Sequence, residues 1–378
     1  MKLNGNKVLQ LLATVDVATY YVSEQIRLSL QGQCEIETAF LTGKLPEEHH
    51  TNNTVKYFNF TKECLKGLSR WGVIRSLFQY VKANKFGLII AHRFKSIHLM
   101  MVVCWLLRIP MVGVVHGMGD YDRKYRQRHI KIFITKQSVF VAVSDEVKQY
   151  LLGLSCGFTD ENTRVISNAV NLEKVLELSL SKPVARQSLD LPKEAFVFGT
   201  VARLVPIKGH RYLIEAISKL SVTHPQMQVV IIGDGRSRAD LQNLANELNI
   251  ADKIVFAGWK AKASQYVTAF DVFVMPSLSE GMPLAMLEAM SLKVPIIGSK
   301  IPALRSVIEG AEGSCFEPED STGLALVLES YLKMSNEQLG DLGESAFKYV
   351  KKQHSIQAFQ KNYQQFILPR ISKVDRFI

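Results

Sequence analysis

The chain has 378 residues, 47% of them hydrophobic, and a formal net charge of +11. This length and apolar content suit about two globular domains with full cores and exclude a disordered or fibrous chain. The five cysteines, Cys34, Cys64, Cys104, Cys156 and Cys315, are scattered, odd in number and without a CxxC pair. That argues against a disulfide framework or a zinc site, and for a reducing compartment.

The N-terminal stretch MKLNGNKVLQLLATVD reads as a strand, not as a cleavable apolar leader. Helix and strand signals then alternate: Tyr20–Leu30 helical, Glu35–Leu41 extended, Trp71–Ala83 helical, Gly87–Ala91 extended, Ser96–Leu107 helical and Met111–Val115 extended. The apolar run Ile97–Leu107 contains His98 and stops at Arg108 and Pro110. It is too short for a membrane span of about 20 residues, so a cytoplasmic protein is expected. Val139–Val143 is a further strand, with Ser144 capping the helix after it and Asp145 and Glu146 in that helix's first turn. Ser181–Arg186, with Pro183, reads as a linker. The pattern then restarts: strands at Ala195–Val201, Gln228–Ile232, Ile254–Ala257, Val272–Met275 and Pro295–Gly298, helices at His210–Leu220 and Arg238–Leu248, and mostly helix from Ser321 onward. Such alternation predicts an α/β protein of two doubly wound, Rossmann-like halves with a cleft between them. Ligands are expected at the C-terminal ends of the strands.

The most informative segment is EGMPLAMLE, Glu280 to Glu288, which follows the strand-like run DVFVMPS. A strand–loop–helix unit there puts Glu280 in the loop and Glu288 inside the helix, with Pro283 in its first turn. Backbone amides around Gly281, Met282 and Leu284 would face an anion over the helix N-terminus. A carboxylate one to two turns in can accept hydrogen bonds from sugar hydroxyls, so a nucleotide-sugar ligand is suggested. Arg203 and Lys208, in GTVARLVPIKGH, lie on a tight loop after a strand. They can clamp a diphosphate without a metal, or be two solvated surface charges. Gly233 and Gly235, in the GDG after QVVII, allow close approach to a phosphate or base, or form a plain turn. Gly258 and Trp259 can border a base or anchor a turn in the core. His116, ending PMVGVVHG, can contact a sugar or phosphate or move protons, or be a packed turn histidine. Asp120-Tyr121-Asp122 matches a metal-holding DxD pattern, but with Arg203 and Lys208 available to neutralise a diphosphate, no metal site is expected.

Charge is uneven, with 24 Lys and Arg against 15 Asp and Glu in residues 1–182, and 22 against 20 in residues 183–378. The basic run Asp122–Gln137 carries Arg123, Lys124, Arg126, Arg128, Lys131 and Lys136 with interleaved aromatics. It suits an anionic membrane surface, a phosphorylated acceptor or a solvated helix face. No zinc-finger, RRM or helix-turn-helix pattern occurs, so nucleic acid is not an expected partner.

Taken together, ARL…KG at 202–209, GDG at 233–235, FAGW at 256–259, PSLSEGMPLAMLEAM at 276–290 and the P-x-x-x-x-V-I-x-G run at 302–310 resemble the retaining family 4 glycosyltransferases of GT-B fold. VVHGMGD, VAVSDEVKQYL and RVISNAVNLEKV extend the resemblance upstream. It implies an acceptor-binding domain at 1–182, a nucleotide-sugar domain at 187–354, and a segment at 355–378 crossing back to the first domain. It implies that Arg203 and Lys208 bind the donor diphosphate, Glu288 the ribose, and Glu280 the transferred sugar. Gly281, Met282, Pro283 and Leu284 would line the site through their backbone, with His116 near the sugar. The activity implied is metal-independent, retaining transfer from a nucleotide-diphosphate sugar, most simply a UDP-sugar, with no other cofactor. The acceptor would be a glycan, lipid-linked at the inner face of the membrane, as in lipopolysaccharide core or polysaccharide synthesis. A nucleotide-sugar epimerase of related fold and a non-catalytic binding module are the alternatives. Two departures stand out: Thr14–Thr19 replaces the family's glycine-rich first loop, and Asn168-Ala169 replaces its Asn-Gly turn.

Overall fold

The computed structural model describes residues 4–45 and 55–371. The start of the expected N-terminal strand segment (residues 1–3) and the end of the expected C-terminal segment (residues 372–378) lie outside the described residues. The chain forms two compact units: residues 1–168 with 357–378, and residues 169–356.

The first unit holds β1 (Asn4–Thr14), β2 (Glu35–Thr42), β3 (Val55–Tyr57), β4 (Phe86–His92), β5 (Met111–Val115), β6 (Ser138–Ala142) and β7 (Thr163–Val165). They form one parallel sheet in the order β3-β2-β1-β4-β5-β6-β7. Every residue of β4, β5 and β6 is buried. Near-continuous apolar strands are what a parallel sheet covered on both faces requires. Gly113 in β5 is one constraint of that packing, since a Cβ there would strike the Phe140 ring. The helix Asp145–Gly153 starts as expected, with Ser144 Oγ accepting from the Val147 amide at 3.3 Å. The last helix, Ile356–Ile371, belongs mainly to this unit, buries Tyr363 and Ile367, and donates from Gln364 to the Ser29 carbonyl at 2.5 Å.

The second unit holds β8 (Phe196–Val201), β9 (Met227–Ile232), β10 (Ile254–Gly258), β11 (Val272–Met275), β12 (Ile296–Ser299) and β13 (Ser314–Phe316). Its parallel order is β10-β9-β8-β11-β12-β13. The helix His210–Leu220 buries Leu213, Ile214, Ile217 and Leu220, an i, i+4, i+7 stripe against Phe198, Val229 and Ile231. The chain winds outward in both directions from the β8/β11 junction, which makes that junction the topological switch point.

Three features depart from the sequence reading. The expected linker is helical over Lys182–Gln187, with Pro183 in the first turn. Buried Arg186 fixes it by donating to the Ala269 carbonyl at 3.1 Å and the Asp271 carboxylate at 2.7 Å. The units therefore part upstream, between Asn168 and Ala169. Pro283 is the extended residue before the helix Leu284–Ser291, not its first helical residue. The strands β3, β7 and β13 were not expected; each has three residues and lies at a sheet edge. Among the described residues, no helix is long and apolar enough to cross a membrane.

Candidate functional site

In the second unit, the loops after β8, β9 and β11 meet at the C-terminal edge of the sheet. The β8 loop runs through Arg203 into a 3-10 turn, Pro206–Lys208, and then Gly209 with φ +65°. It is tied to the β9 loop by Leu204 N to the Asp234 carbonyl and Ser237 N to the Leu204 carbonyl, both 3.0 Å. Leu278 N to the Ile207 carbonyl, 2.8 Å, ties it to the β11 loop. Glycine is required at each crossing. A Cβ at Gly209 would run into the Pro276 carbonyl, one at Gly233 into the Ala202 carbonyl, and one at Gly235 into the Leu204 carbonyl.

This knitting brings Lys208 and Glu280 into direct contact. Lys208 Nζ donates to Glu280 Oε1 at 2.5 Å, and Ser277 Oγ donates to the same oxygen at 2.6 Å. The two charged side chains keep 17% and 8% of their exposure, so the pair is charge-assisted and largely screened from water. Lys208 is thus neutralised by Glu280, while Arg203 is exposed and has no ion-pair partner among the described residues. Gly281 and Met282 are buried, and Leu284 begins the helix Leu284–Ser291. The first-turn amides of such a helix have no partner within it.

Glu288 lies in that helix, half-buried by surface, with no hydrogen-bond partner among the described residues. Protein packs closely enough around its carboxyl for desolvation to push its pKa up to about 7. Such a carboxylate gains most from hydroxyl donors supplied by a ligand. Trp259 is 53% exposed, so it does not anchor the core. The β9 loop is further braced by Arg238, which donates to the Phe256 carbonyl at 3.1 Å and lies 3.8 Å from the Asp234 carboxylate. His210 was not singled out from the sequence. It is buried at the start of the helix after the β8 loop, with neither ring nitrogen hydrogen-bonded among the described residues, and burial followed by Lys208 lowers its pKa to about 4.

In the first unit, His116 follows β5 and ends a chain of polar side chains built through the core. Its Nε2 lies 3.1 Å from His92 Nδ1, and His92 Nε2 lies 3.2 Å from Gln10 Oε1. Gln10 Nε2 donates to the Ser23 carbonyl at 2.9 Å, so its oxygen faces His92 as an acceptor. His92 must therefore carry its proton on Nε2 and accept at Nδ1, which assigns the His116 proton to Nε2. His116 is left with Nδ1 as an acceptor. Burial first, then His92 and Arg93, hold it well below the usual histidine pKa and keep it neutral. Gln10 and His92 went unnoticed in sequence; the available signal was polar side chains inside otherwise apolar strands.

The Thr14–Thr19 loop closes on its own unit. Asp16 caps the next helix at the Thr19 amide, 3.0 Å, and pairs with Arg93 at 3.5 Å. In the Asp120-Tyr121-Asp122 match, Tyr121 is fully buried and Asp122 accepts from Tyr150 Oη at 2.8 Å. Among the described residues, no group of three or more His, Cys, Asp and Glu is placed to hold a metal ion.

Residues 181–349 match the family described as Glycosyl transferases group 1, and residues 32–174 match Glycosyltransferase Family 4. A UDP-Gal:alpha-D-GlcNAc-diphosphoundecaprenol alpha-1,3-galactosyltransferase of Escherichia coli is 31% identical over 60% of this chain and 61% of its own length. A lipopolysaccharide core biosynthesis glycosyltransferase, LpsE of Rhizobium meliloti, is 29% identical over 54% of this chain and 57% of its own. The chain thus spans about three fifths of the length of these relatives. The crystal structure of Anabaena Alr3699/HepE in complex with UDP-glucose matches with a TM-score of 0.82 at 19% identity, covering 96% of this chain and 99% of that one. That likeness shows the fold, which is GT-B. The chain thus carries a family 4 glycosyltransferase domain over residues 32–174 and a group 1 glycosyltransferase domain over residues 181–349.

Proposed function

We propose that the protein is a metal-independent, retaining glycosyltransferase that takes a UDP-sugar and passes its sugar to a glycan acceptor, lipid-linked at the inner face of the membrane. One observation carries the reading. A single sheet edge gathers an unpaired Arg203, the Lys208–Glu280 pair and a desolvated, unpartnered Glu288 around a helix start. Those are the groups a diphosphate flanked by two sugars would need. The names of the relatives, which cite UDP-galactose and lipopolysaccharide core, and the UDP-glucose held by the structural neighbour support the donor and acceptor classes.

In this reading Glu288 accepts from the ribose hydroxyls, and Glu280, steered by Ser277, accepts from the transferred sugar. Arg203 and Lys208 stabilise the diphosphate as its bond to the anomeric carbon breaks. The acceptor oxygen bonds to that carbon from the same face, and its proton passes to the departing phosphate oxygen. Gly233, Gly235 and Trp259 border the base. For His116 we propose a contact with the sugar substrate through Nδ1. The basic helix Lys124–Phe133, with Trp105, Leu106 and Ile132 exposed in the same unit, supports contact with an anionic bilayer.

The test is a thermal-shift screen of UDP, GDP, ADP and their sugar conjugates, with and without Mg²⁺, on wild type and Glu288→Ala. A ligand at a hundredfold excess over its Kd adds about 2.7 kcal/mol to stability. UDP and UDP-sugars are expected to raise the melting temperature equally with and without Mg²⁺, and the shift should vanish in the variant. No shift with any nucleotide would remove the donor assignment. Product formed from the sugar nucleotide without acceptor would favour an epimerase.

A further inference from the structure

The first unit carries a concave site, a groove of about 440 Å³ at the C-terminal ends of β4 and β5. Five cations line it: Lys66, Arg70, Lys95, Arg123 and Arg126. No Asp or Glu lines it, and none of the five forms an ion pair with a carboxylate among the described residues. Its cations come from three separate elements: the start of the helix Arg70–Asn84 and the turn before it, the first turn of the helix Arg93–Leu107, and the N-cap and first turn of the helix Lys124–Phe133. Convergence from three elements distinguishes it from a charged face on one solvated helix.

The groove is also built. Arg126 stacks on Phe94, 4.0 Å from the ring centroid, and donates to the Asp120 carbonyl at 2.6 Å. Arg70 Nη1 sits 3.0 Å from His98 Nε2 and donates there, since a guanidinium cannot accept. The neutral His98 ring therefore carries its proton on Nδ1. That N–H is buried, in a residue only 9% exposed, and has no acceptor among the described residues. Burial, then His129, Arg70 and Arg126, hold His98 down to about 3 and keep its ring neutral. The geometry that calls for an anion is the convergence on one groove of five cations without a carboxylate partner among the described residues.

We propose that this groove binds a phosphate or diphosphate ester, the anionic end of the acceptor. A sugar carboxylate carries one charge and would leave most of the five cations unmatched; a diphosphate carries two or more. The volume admits a diphosphate with part of an attached group. Its use as the acceptor's anchor rests on the transferase reading; the anion site does not.

The test measures inorganic pyrophosphate binding by calorimetry to the full chain carrying Arg203→Ala, which removes the unpaired cation of the proposed donor edge in the other unit. The same titration follows after adding Lys66→Ala, Lys95→Ala and Arg123→Ala, all exposed positions. Circular dichroism and melting temperature confirm that both proteins fold. Pyrophosphate should bind the first protein and bind the second at least tenfold more weakly, with the difference shrinking as salt rises. Equal binding by the two would overturn the proposal. Phosphatidylglycerol and phosphatidylcholine vesicles form a second arm. Sedimentation with the anionic vesicles that depends on the three residues, without pyrophosphate binding, would assign these cations to a bilayer surface and also overturn it. Because the UDP screen reads the other unit, loss of the transferase reading and loss of the groove would be told apart.

Discussion

Glu288 couples stability to function through one proton. Desolvation raises its folded pKa to about 7 from an ordinary value of 4.5. Across that window the native state holds a proton that the unfolded chain has released. Stability therefore falls as pH rises from 4.5 to 7, and the full cost is present above 7. Glu288→Gln removes the cost, so at pH 8 the variant should be more stable by on the order of 2 kcal/mol, allowing for the water that still reaches the site. Near pH 4.5 the two proteins should melt together. Under the proposed role the same change weakens UDP-glucose binding, and wild-type affinity strengthens from pH 6 to 8 as the carboxylate ionises, a slope the variant lacks. Denaturant midpoints and calorimetry across this range check both halves; a variant less stable than wild type at pH 8 would contradict the desolvation argument. The spacing of Glu280 and Glu288 was legible in sequence because a strand, a loop and a short helix are local. The Lys208–Glu280 and Gln10–His92 contacts were not, because they join residues 72 and 82 positions apart and leave no trace in periodicity.

At the scale of elements, the donor edge depends on loops touching backbone to backbone. Gly209 is the sharpest case: its φ is +65°, and its missing Cβ leaves room for the Pro276 carbonyl. Gly209→Ala should cost about 2–4 kcal/mol, from the left-handed backbone and the forced separation of the β8 and β11 loops. Because Lys208 and Glu280 sit on those two loops, donor affinity should fall as well. Gly340, inside the helix Asn336–Gln353 with open space around it, is the control. Alanine there should stabilise by about 0.5–1 kcal/mol. Urea midpoints of the two variants separate close approach from propensity; equal effects would show that the contact at Gly209 is not limiting. The long strands were readable because burial on both faces makes them apolar throughout, as in β4 and β5. The edge strands β3, β7 and β13 were not, since three residues are too few to show a period. The segment at Ser181–Arg186 was misread because Pro183, a breaker inside a helix, is well suited to a first turn.

For the molecule as a whole, the order in which the chain visits its units gives them different dependence on the rest of the sequence. The second unit is one continuous stretch, 169–356, and its core is made within it, with Phe198, Val229, Val274, Ile297, Leu324, Leu328 and Tyr331 in one cluster. Every donor-side residue proposed above, from Arg203 to Glu288, lies inside that stretch. The first unit is discontinuous and draws part of its core from the last helix, where Phe359, Tyr363, Phe366 and Ile367 are buried. A fragment of residues 169–356 should therefore unfold in one cooperative transition and bind UDP with an affinity near that of the full chain. Ending the chain at Ile356 deletes those four side chains, each worth about 1.5–3 kcal/mol when fully buried. That loss is comparable to the whole stability of a domain. In the truncated protein, hydrogen exchange should collapse across β1 to β7 while β8 to β13 keep their protection. A fragment without a cooperative transition, or a truncation that leaves β1–β7 protected, would show that the two units do not carry separate cores.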